Sequence, residues 1–137
     1  MAQENVEIVR VAFDLEAQRD VRVIEVYDRD VVMDFSESPF AEFMQGTSRL
    51  KGVRNIQKGF RDWYEAFEDV VTDVDELIDA DEQVIVVFTY RGRGRVSGAQ
   101  VEWKRMAGVW TFREGKVVRV AWFRGKEEAL EAAGLSE

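Results

Sequence analysis

Apolar residues recur at helical spacing in three parts of the chain. The pattern predicts a first helix over about residues 6–18, a short second helix over residues 20–28 and a long third helix over residues 52–67. The apolar face of the first helix consists of Val6, Ile8, Val9, Ala12 and Phe13.

Beyond residue 67 the apolar pattern changes from helical to strand-like spacing. Four runs rich in β-branched and aromatic residues follow, and an earlier strand is expected over VVMDF. A short closing helix is expected over residues 126–135. Helices followed by a β-meander predict an α+β fold, in which helices pack on a strongly curved antiparallel sheet. The predicted strands cover residues 31–35, 70–80, 84–93, 99–112 and 116–123.

The last predicted strand, KVVRVAWF, is apolar on both faces. Alternation turns Val120 and Trp122 to one side and Ala121 and Phe123 to the other. We expect the helices to cover only one of these faces. The outer face of the sheet is then expected to meet a second copy of the chain in a homodimer.

An irregular stretch over residues 36–51 contains Phe40, Phe43 and Met44. Apolar residues in a loop must be covered by other parts of the protein. This stretch is therefore expected to fold over a cavity or to pack as a lid.

The composition excludes several classes of function. The 137 residues suffice for one domain, 1–137, and the chain has no Cys and no His. Catalytic dyads that need imidazole and histidine-ligated metal centres are therefore excluded, and any acid–base work falls to carboxylates, Tyr, Lys or Arg. We expect no cofactor and no metal site.

The net charge of −8 is unevenly distributed. Residues 62–82 hold ten acidic and no basic residues, whereas residues 91–126 hold ten basic residues and only two acidic ones. This pattern predicts an electrically polarised molecule. The RGRGR run at residues 91–95 lacks interleaved aromatics and belongs to an acidic protein. We interpret it as a solvated hairpin tip and expect no nucleic-acid partner.

The first ten residues, MAQENVEIVR, lack the basic end and apolar run of a signal peptide. No stretch approaches the roughly 20 apolar residues of a membrane span. The sequence thus predicts a cytoplasmic protein with no membrane partner.

Five segments in order resemble the SnoaL-like branch of the nuclear transport factor 2-like superfamily, which includes ketosteroid isomerases, polyketide cyclases and limonene epoxide hydrolases. The resemblance implies a cone-shaped curved antiparallel sheet wrapped around helices, a cystatin-like α+β roll. Such a cone encloses an apolar pocket that is open at one end, usually in a dimer. The segments are VAFDLEAQRD, YDRDVVMDF, FRDWYEAFED, VWTFREGKVVRVAWF and KEEALEAAGL.

The ketosteroid isomerases among these relatives use residues that this chain lacks. Phe13 stands where the resemblance would put their oxyanion-hole tyrosine, Phe35 where it would put their base, and Gly108 at their second oxyanion donor. The chain also lacks two inward aspartates around an arginine, the arrangement of limonene epoxide hydrolases. True steroid isomerase activity is therefore not expected.

Polyketide cyclases of the family need a single acid–base carboxylate in an apolar pocket. Asp34 is the candidate base, although strand alternation turns it away from the pocket unless a bulge or a one-residue shift intervenes. Tyr64 is the candidate hydrogen-bond donor to a substrate carbonyl, and Arg124 is the candidate clamp at the pocket mouth. The candidate ligand-binding residues are Phe13, Met33, Phe35, Phe60, Trp110, Val120 and Trp122.

Two functions remain open at this point. One is binding of a hydrophobic, ring-containing small molecule together with cofactor-independent isomerisation, cyclisation or dehydration. The other is a non-catalytic ligand-binding or dimer-scaffold module, because this fold hosts enzymes and binders alike.

Overall fold

The structure, a computed structural model, describes residues 2–44 and 48–135. Within these ranges lie three α-helices, two short 3-10 helices and six strands. The helices are α1 (Ala2–Ala17), α2 (Val53–Ala66) and α3 (Lys126–Ala132), and the 3-10 helices cover Val21–Val26 and Pro39–Phe43. The strands are β1 (Tyr27–Glu37), β2 (Arg49–Lys51), β3 (Phe67–Ala80), β4 (Gln83–Gly94), β5 (Gln100–Arg113) and β6 (Lys116–Phe123).

Every predicted helix and strand is present, which confirms the α+β fold. The short second helix is 3-10, and the Asp20 carboxylate caps it by accepting the backbone N–H of Arg22. The 3-10 helix Pro39–Phe43 and strand β2 lie in the stretch predicted to be irregular. In the ranges described, no helix has the length and apolar character needed to cross a membrane.

The six strands form one mixed sheet in the order β2-β1-β6-β5-β4-β3. Strands β3 to β6 form the predicted antiparallel meander, and β2 also pairs antiparallel with β1. The sequence did not predict that β1 pairs parallel with β6, with Met33 opposite Val120. This pair places the first strand of the chain beside the last, so the sheet wraps around α1 and α2.

Bulges contribute to the curvature of the sheet. Asp69 in β3 and Arg105 in β5 have positive φ angles of 54° and 52°, and the register against β4 shifts next to each of them. An extra residue in one strand bends that strand and increases its twist. The concave face that results packs against the buried residues Val9 and Ala12 of α1 and Ile56 of α2.

The outer face of β4 and β5 is covered by α3. The fully buried Ala129 belongs to a cluster with Ile85, Val87 and Val109, and Phe123 packs against this cluster as a partly buried residue. The expectation that helices cover only one face is therefore wrong, because the C-terminal helix folds back over the other. The homodimer remains a prediction.

The two charge blocks of the sequence lie side by side. Arg91 forms an ion pair with Asp73 at 3.0 Å, and Arg93 forms one with Glu68 at 2.9 Å, in both cases across the β3–β4 pair. The acidic strand and the basic strand therefore neutralise each other locally. Antiparallel pairing thus brings parts of the two segments together, while the predicted polarity of the whole molecule remains a prediction.

The aromatic side chains of the 3-10 helix Pro39–Phe43 pack against rings on α2 and the sheet. Phe40 is buried, and its ring lies 4.9 Å from Trp103, 5.2 Å from Trp63 and 5.6 Å from Tyr90, centre to centre. The stretch thus packs over the interior as predicted. The part of it at residues 45–47 lies outside the described residues.

Candidate functional site

A cavity of about 380 Å³ lies between the concave face of the sheet and helices α1 and α2. Phe40 and Met44 close part of one side. A wall of aromatic rings gives the cavity an apolar surface that suits a hydrophobic ligand. The rings of this wall come from both helices and four strands, and they include Phe13, Phe35, Phe60, Phe88, Trp110 and Trp122.

Six of the seven candidate ligand-binding residues line this cavity: Phe13, Met33, Phe35, Phe60, Trp110 and Trp122. Val120 does not line it. Its side chain is fully buried in the core, and its register partners are Met33 on β1 and Trp110 on β5. Both neighbours carry longer side chains, so they rather than Val120 reach the cavity.

Two tryptophans from adjacent strands meet in the cavity wall. The rings of Trp110 and Trp122 are 6.1 Å apart, centre to centre, with planes at 88°. Phe13 lies 5.8 Å from Trp110, and Phe35 stacks on Trp122 at 6.2 Å. Gly108 pairs with Trp122 across the strands, and a Cβ at this position would come within 2.6 Å of the Trp122 ring. The glycine therefore leaves the space that the indole occupies.

Asp34, the candidate base, does not line the cavity. Its neighbours in sequence turn inward, so its own side chain faces the opposite side of the sheet. There the carboxylate accepts hydrogen bonds from Arg49 and Arg119, both at 3.1 Å, and from the backbone N–H of Ser36 at 2.9 Å. The register of β1 is regular over residues 32–34, so no bulge turns Asp34 inward. This corrects the expectation that Asp34 acts in the pocket.

The contacts of Asp34 instead tie β1 to β2 and β6. Burial alone would raise the pKa of Asp34, but the hydrogen bonds from Ser36 and the charges of Arg49 and Arg119 outweigh it and lower the pKa below its usual value. Because the folded pKa is the lower one, the stabilisation is present above about pH 3.8 and is lost as the pH falls through the folded pKa. We expect Asp34→Asn to lower the free energy of unfolding at pH 7 by about 1–3 kcal/mol, as measured by urea denaturation.

The loss should shrink when the same measurement is made in acid, because the wild-type carboxyl is then neutral as well. Asp30→Asn is the matched control, since Asp30 is exposed on the same strand. It should change the stability by less than about 0.5 kcal/mol. Equal losses from the two variants would contradict the role of the Asp34 contacts.

Tyr64 on α2 lines the cavity and contacts two charged residues of the N-terminal segment. Its hydroxyl donates a hydrogen bond to Oε1 of Glu16 at 2.8 Å, and the guanidinium carbon of Arg19 lies 4.2 Å from the centre of its ring. Burial and the charge of Glu16 raise the pKa of Tyr64, which keeps the phenol neutral. The hydroxyl proton of Tyr64 is therefore already used in the hydrogen bond to Glu16.

Glu16 is a functional candidate that was not expected from the sequence. Among the described residues that line the cavity it is the one carboxylic acid. Burial raises the pKa of Glu16, and the hydrogen bond from Tyr64 and the charge of Arg19 offset this only in part. A carboxyl whose pKa is raised is better suited to take up and release protons near neutral pH. The helical spacing of the sequence places Glu16 near the cavity, because Glu16 follows the cavity residue Phe13 by three positions and shares its helix face.

Arg124 is exposed just beyond the end of β6 and is not among the residues that line the cavity. The expected clamp is therefore not brought to the site, because the strand ends before this position. Arg19 is the arginine that lines the cavity. Tyr90 also lines it, and its hydroxyl accepts a hydrogen bond from the indole N–H of Trp63.

Comparison with protein families matches residues 9–120 to the SnoaL-like domain, a span that runs from α1 to β6. The chain belongs to the SnoaL-like domain family. The resemblance seen in the sequence is thereby confirmed. A comparison of this SnoaL-like domain with curated proteins returns no match.

Solved structures show the same fold at low sequence identity. An NTF2-like protein of unknown function from Burkholderia pseudomallei K96243 is 19% identical, with 93% of this chain and 95% of that chain covered and a TM-score of 0.77. An NTF2-like protein from Burkholderia thailandensis E264 is 23% identical, with 87% and 88% covered and a TM-score of 0.75. TerC, co-crystallised with polyporic acid, is 16% identical, with 95% and 97% covered and a TM-score of 0.74.

Proposed function

We propose that this SnoaL-like domain binds a hydrophobic, ring-containing small molecule in its cavity. The observation that carries the proposal is the ring-lined wall of the cavity. Rings such as those of Phe13, Trp110 and Trp122 offer flat apolar surfaces against which another ring can stack. The volume of about 380 Å³ falls within the usual range for small-molecule sites. The co-crystallisation of TerC with polyporic acid supports small-molecule binding by a relative of the same fold.

Thermal denaturation in the presence of aromatic polyketides, steroids and terpenoids tests this proposal. A ligand at about 100 times its Kd should stabilise the folded protein by roughly 2.7 kcal/mol and raise the melting temperature by several degrees. A flat response across the whole panel would contradict the proposal.

The position of the bound molecule is tested by a substitution at the end of α1. Ala17 and the next residue, Gln18, are both exposed, but Ala17 lines the cavity and Gln18 does not. We expect Ala17→Trp to weaken binding by about tenfold or more, because the indole would occupy part of the ligand space. Gln18→Trp should leave the Kd unchanged. An equal Kd in the two variants would argue for a site elsewhere.

A second candidate function is cofactor-independent acid–base chemistry on the bound molecule, such as isomerisation, cyclisation or dehydration. The observation that favours it is the raised pKa of Glu16 in the cavity wall. In such a step a C–H bond next to a carbonyl of the ligand breaks. The proton passes to the Glu16 carboxylate, and the electron pair of the bond forms the enolate.

Proton exchange in D₂O, followed by NMR on a bound ring ketone, tests this second candidate. The wild-type protein should speed the exchange of the α-protons, and Glu16→Gln should bind the ketone but lose that acceleration. A saturated wild-type complex without accelerated exchange would reject the chemistry and leave the binding function standing.

A further inference from the structure

A smaller cavity of about 200 Å³ adjoins the larger cavity of about 380 Å³ where α1 ends. Apolar residues of the 3-10 helix Val21–Val26 and of α2 form part of its lining. The two cavities share several lining residues, so a molecule bound in the larger cavity lies next to the smaller one. The shared residues are Glu16, Arg19, Tyr27, Ile56, Phe60 and Tyr64.

Two arginines, Arg19 and Arg61, line the smaller cavity, and both are exposed. The guanidinium carbon of Arg19 lies 4.2 Å from the centre of the Tyr64 ring. Within residues 2–44 and 48–135, neither guanidinium forms an ion pair or donates a hydrogen bond to another group of the chain. Two positive charges beside one cavity therefore keep their N–H donors available to a ligand.

The carboxyl groups that line the smaller cavity are already bound by other residues. The two Asp20 oxygens accept hydrogen bonds from the Arg22 guanidinium at 3.1 and 2.6 Å, and these bonds lower the pKa of Asp20 to about 2. Glu16 accepts the hydroxyl proton of Tyr64. The charge that has no close partner in this cavity is therefore positive, and it favours an anionic group.

The backbone at Arg19 adds an independent observation. Arg19 follows α1 with a positive φ of 54°, and the next backbone N–H, that of Asp20, donates to the carbonyl oxygen of Leu15 at 2.9 Å. This left-handed position after a helix usually holds glycine, because a side chain is strained there. Strain of this kind persists where the side chain serves a function. The position thus points to a use for the guanidinium.

We propose that Arg19 and Arg61 form a subsite for the carboxylate of a ring-containing acid, whose ring lies in the larger cavity. The proposal rests on the proposed binding function. A guanidinium binds a carboxylate through charge-assisted hydrogen bonds, which are stronger than bonds between neutral groups. Since Arg19 lines both cavities, a short apolar chain between the ring and the carboxylate suits this arrangement. The class selected is an aromatic carboxylic acid.

Isothermal titration at pH 7 with 1-naphthaleneacetic acid and 1-naphthaleneacetamide tests the proposal, because the two probes have nearly the same shape and differ in charge. The wild-type protein should bind the acid about tenfold more tightly than the amide. The preference should shrink in 0.5 M NaCl, because salt screens exposed arginines. The affinity for the amide should change little with salt.

Two variants assign the preference to the subsite. Arg19→Gly removes the guanidinium and suits the left-handed backbone, so this variant should fold. It should lower the preference for the acid below about threefold. Arg61→Gln should also lower the preference, and the double variant should bind the two probes equally. Neither change should alter the affinity for the amide by more than about twofold.

Arg54→Gln is the matched control, because Arg54 is exposed on α2 and lines neither cavity. It removes the same charge and should keep the preference for the acid. Equal affinity of the wild-type protein for the two probes would overturn the proposal and leave ring binding intact. An equal loss in Arg54→Gln and Arg19→Gly would overturn it too, because the preference would then reflect overall charge. Failure of both probes to bind would contradict the proposed function and this proposal together.

Discussion

Replacement of Phe40 by alanine is expected to lower the free energy of unfolding by about 3–5 kcal/mol. Phe40 is 9% exposed, and four aromatic rings lie between 4.9 and 6.2 Å from its own: Phe35, Trp63, Tyr90 and Trp103. Truncation removes all four contacts and leaves a space that this well-packed cluster cannot fill. Urea denaturation measures the effect, which should appear as a lower midpoint with an unchanged slope.

Phe43→Ala provides the control on the same 3-10 helix. Its side chain also touches aromatic rings, but it is 50% exposed, so its truncation opens no enclosed space. We expect a loss of about 1 kcal/mol. If the two variants lost equal stability, burial of Phe40 would not be what fixes this segment over the cavity. Ligand affinity should fall in the Phe40 variant, because Phe40 forms part of the cavity wall.

Ala129→Asp is the second substitution with a large expected effect. Ala129 is fully buried where α3 packs on the outer face of the sheet, in a cluster with Ile85, Val87 and Val109. A carboxylate at this position would have no positive partner in the cluster and would separate the helix from the sheet. We expect a loss of about 3–5 kcal/mol in urea denaturation, with α3 detached.

Ala132→Asp is the control for this substitution, since Ala132 is exposed on the same helix. It should change the stability by less than about 0.5 kcal/mol. A small effect of Ala129→Asp would mean that α3 contributes little to covering the outer face. In that case the strip of Ile85, Val87 and Val109 would be available to a second copy of the chain, as expected from the sequence.

The fold was predictable because its signals are local. The spacing of apolar residues decides between helix and strand over about ten residues, and it gave the order of the elements correctly. The parallel pairing of β1 with β6 and the return of α3 to the outer face depend on contacts between distant segments. Neither feature changes the periodic spacing of apolar residues, so only the structure shows them.

The candidate site was predictable where it is apolar and less so where it is polar. Residues such as Phe13 and Trp122 followed from the family resemblance and the strand alternation. That same alternation turns Asp34 away from the cavity. Glu16 was overlooked because an acidic residue on an amphipathic helix ordinarily faces solvent. Only the packing of α1 against α2 shows that Glu16 meets Tyr64.

The pairing of β1 with β6 has a consequence for how the protein acquires its shape. Asp34 and Arg119, which join these strands, are 85 positions apart. The first two strands connect to the rest of the sheet through β6, so during synthesis they cannot join it until the ribosome has made β6. Contacts between such distant segments form late and slowly during folding. The hollow interior therefore closes in one of the last steps, after the meander has assembled.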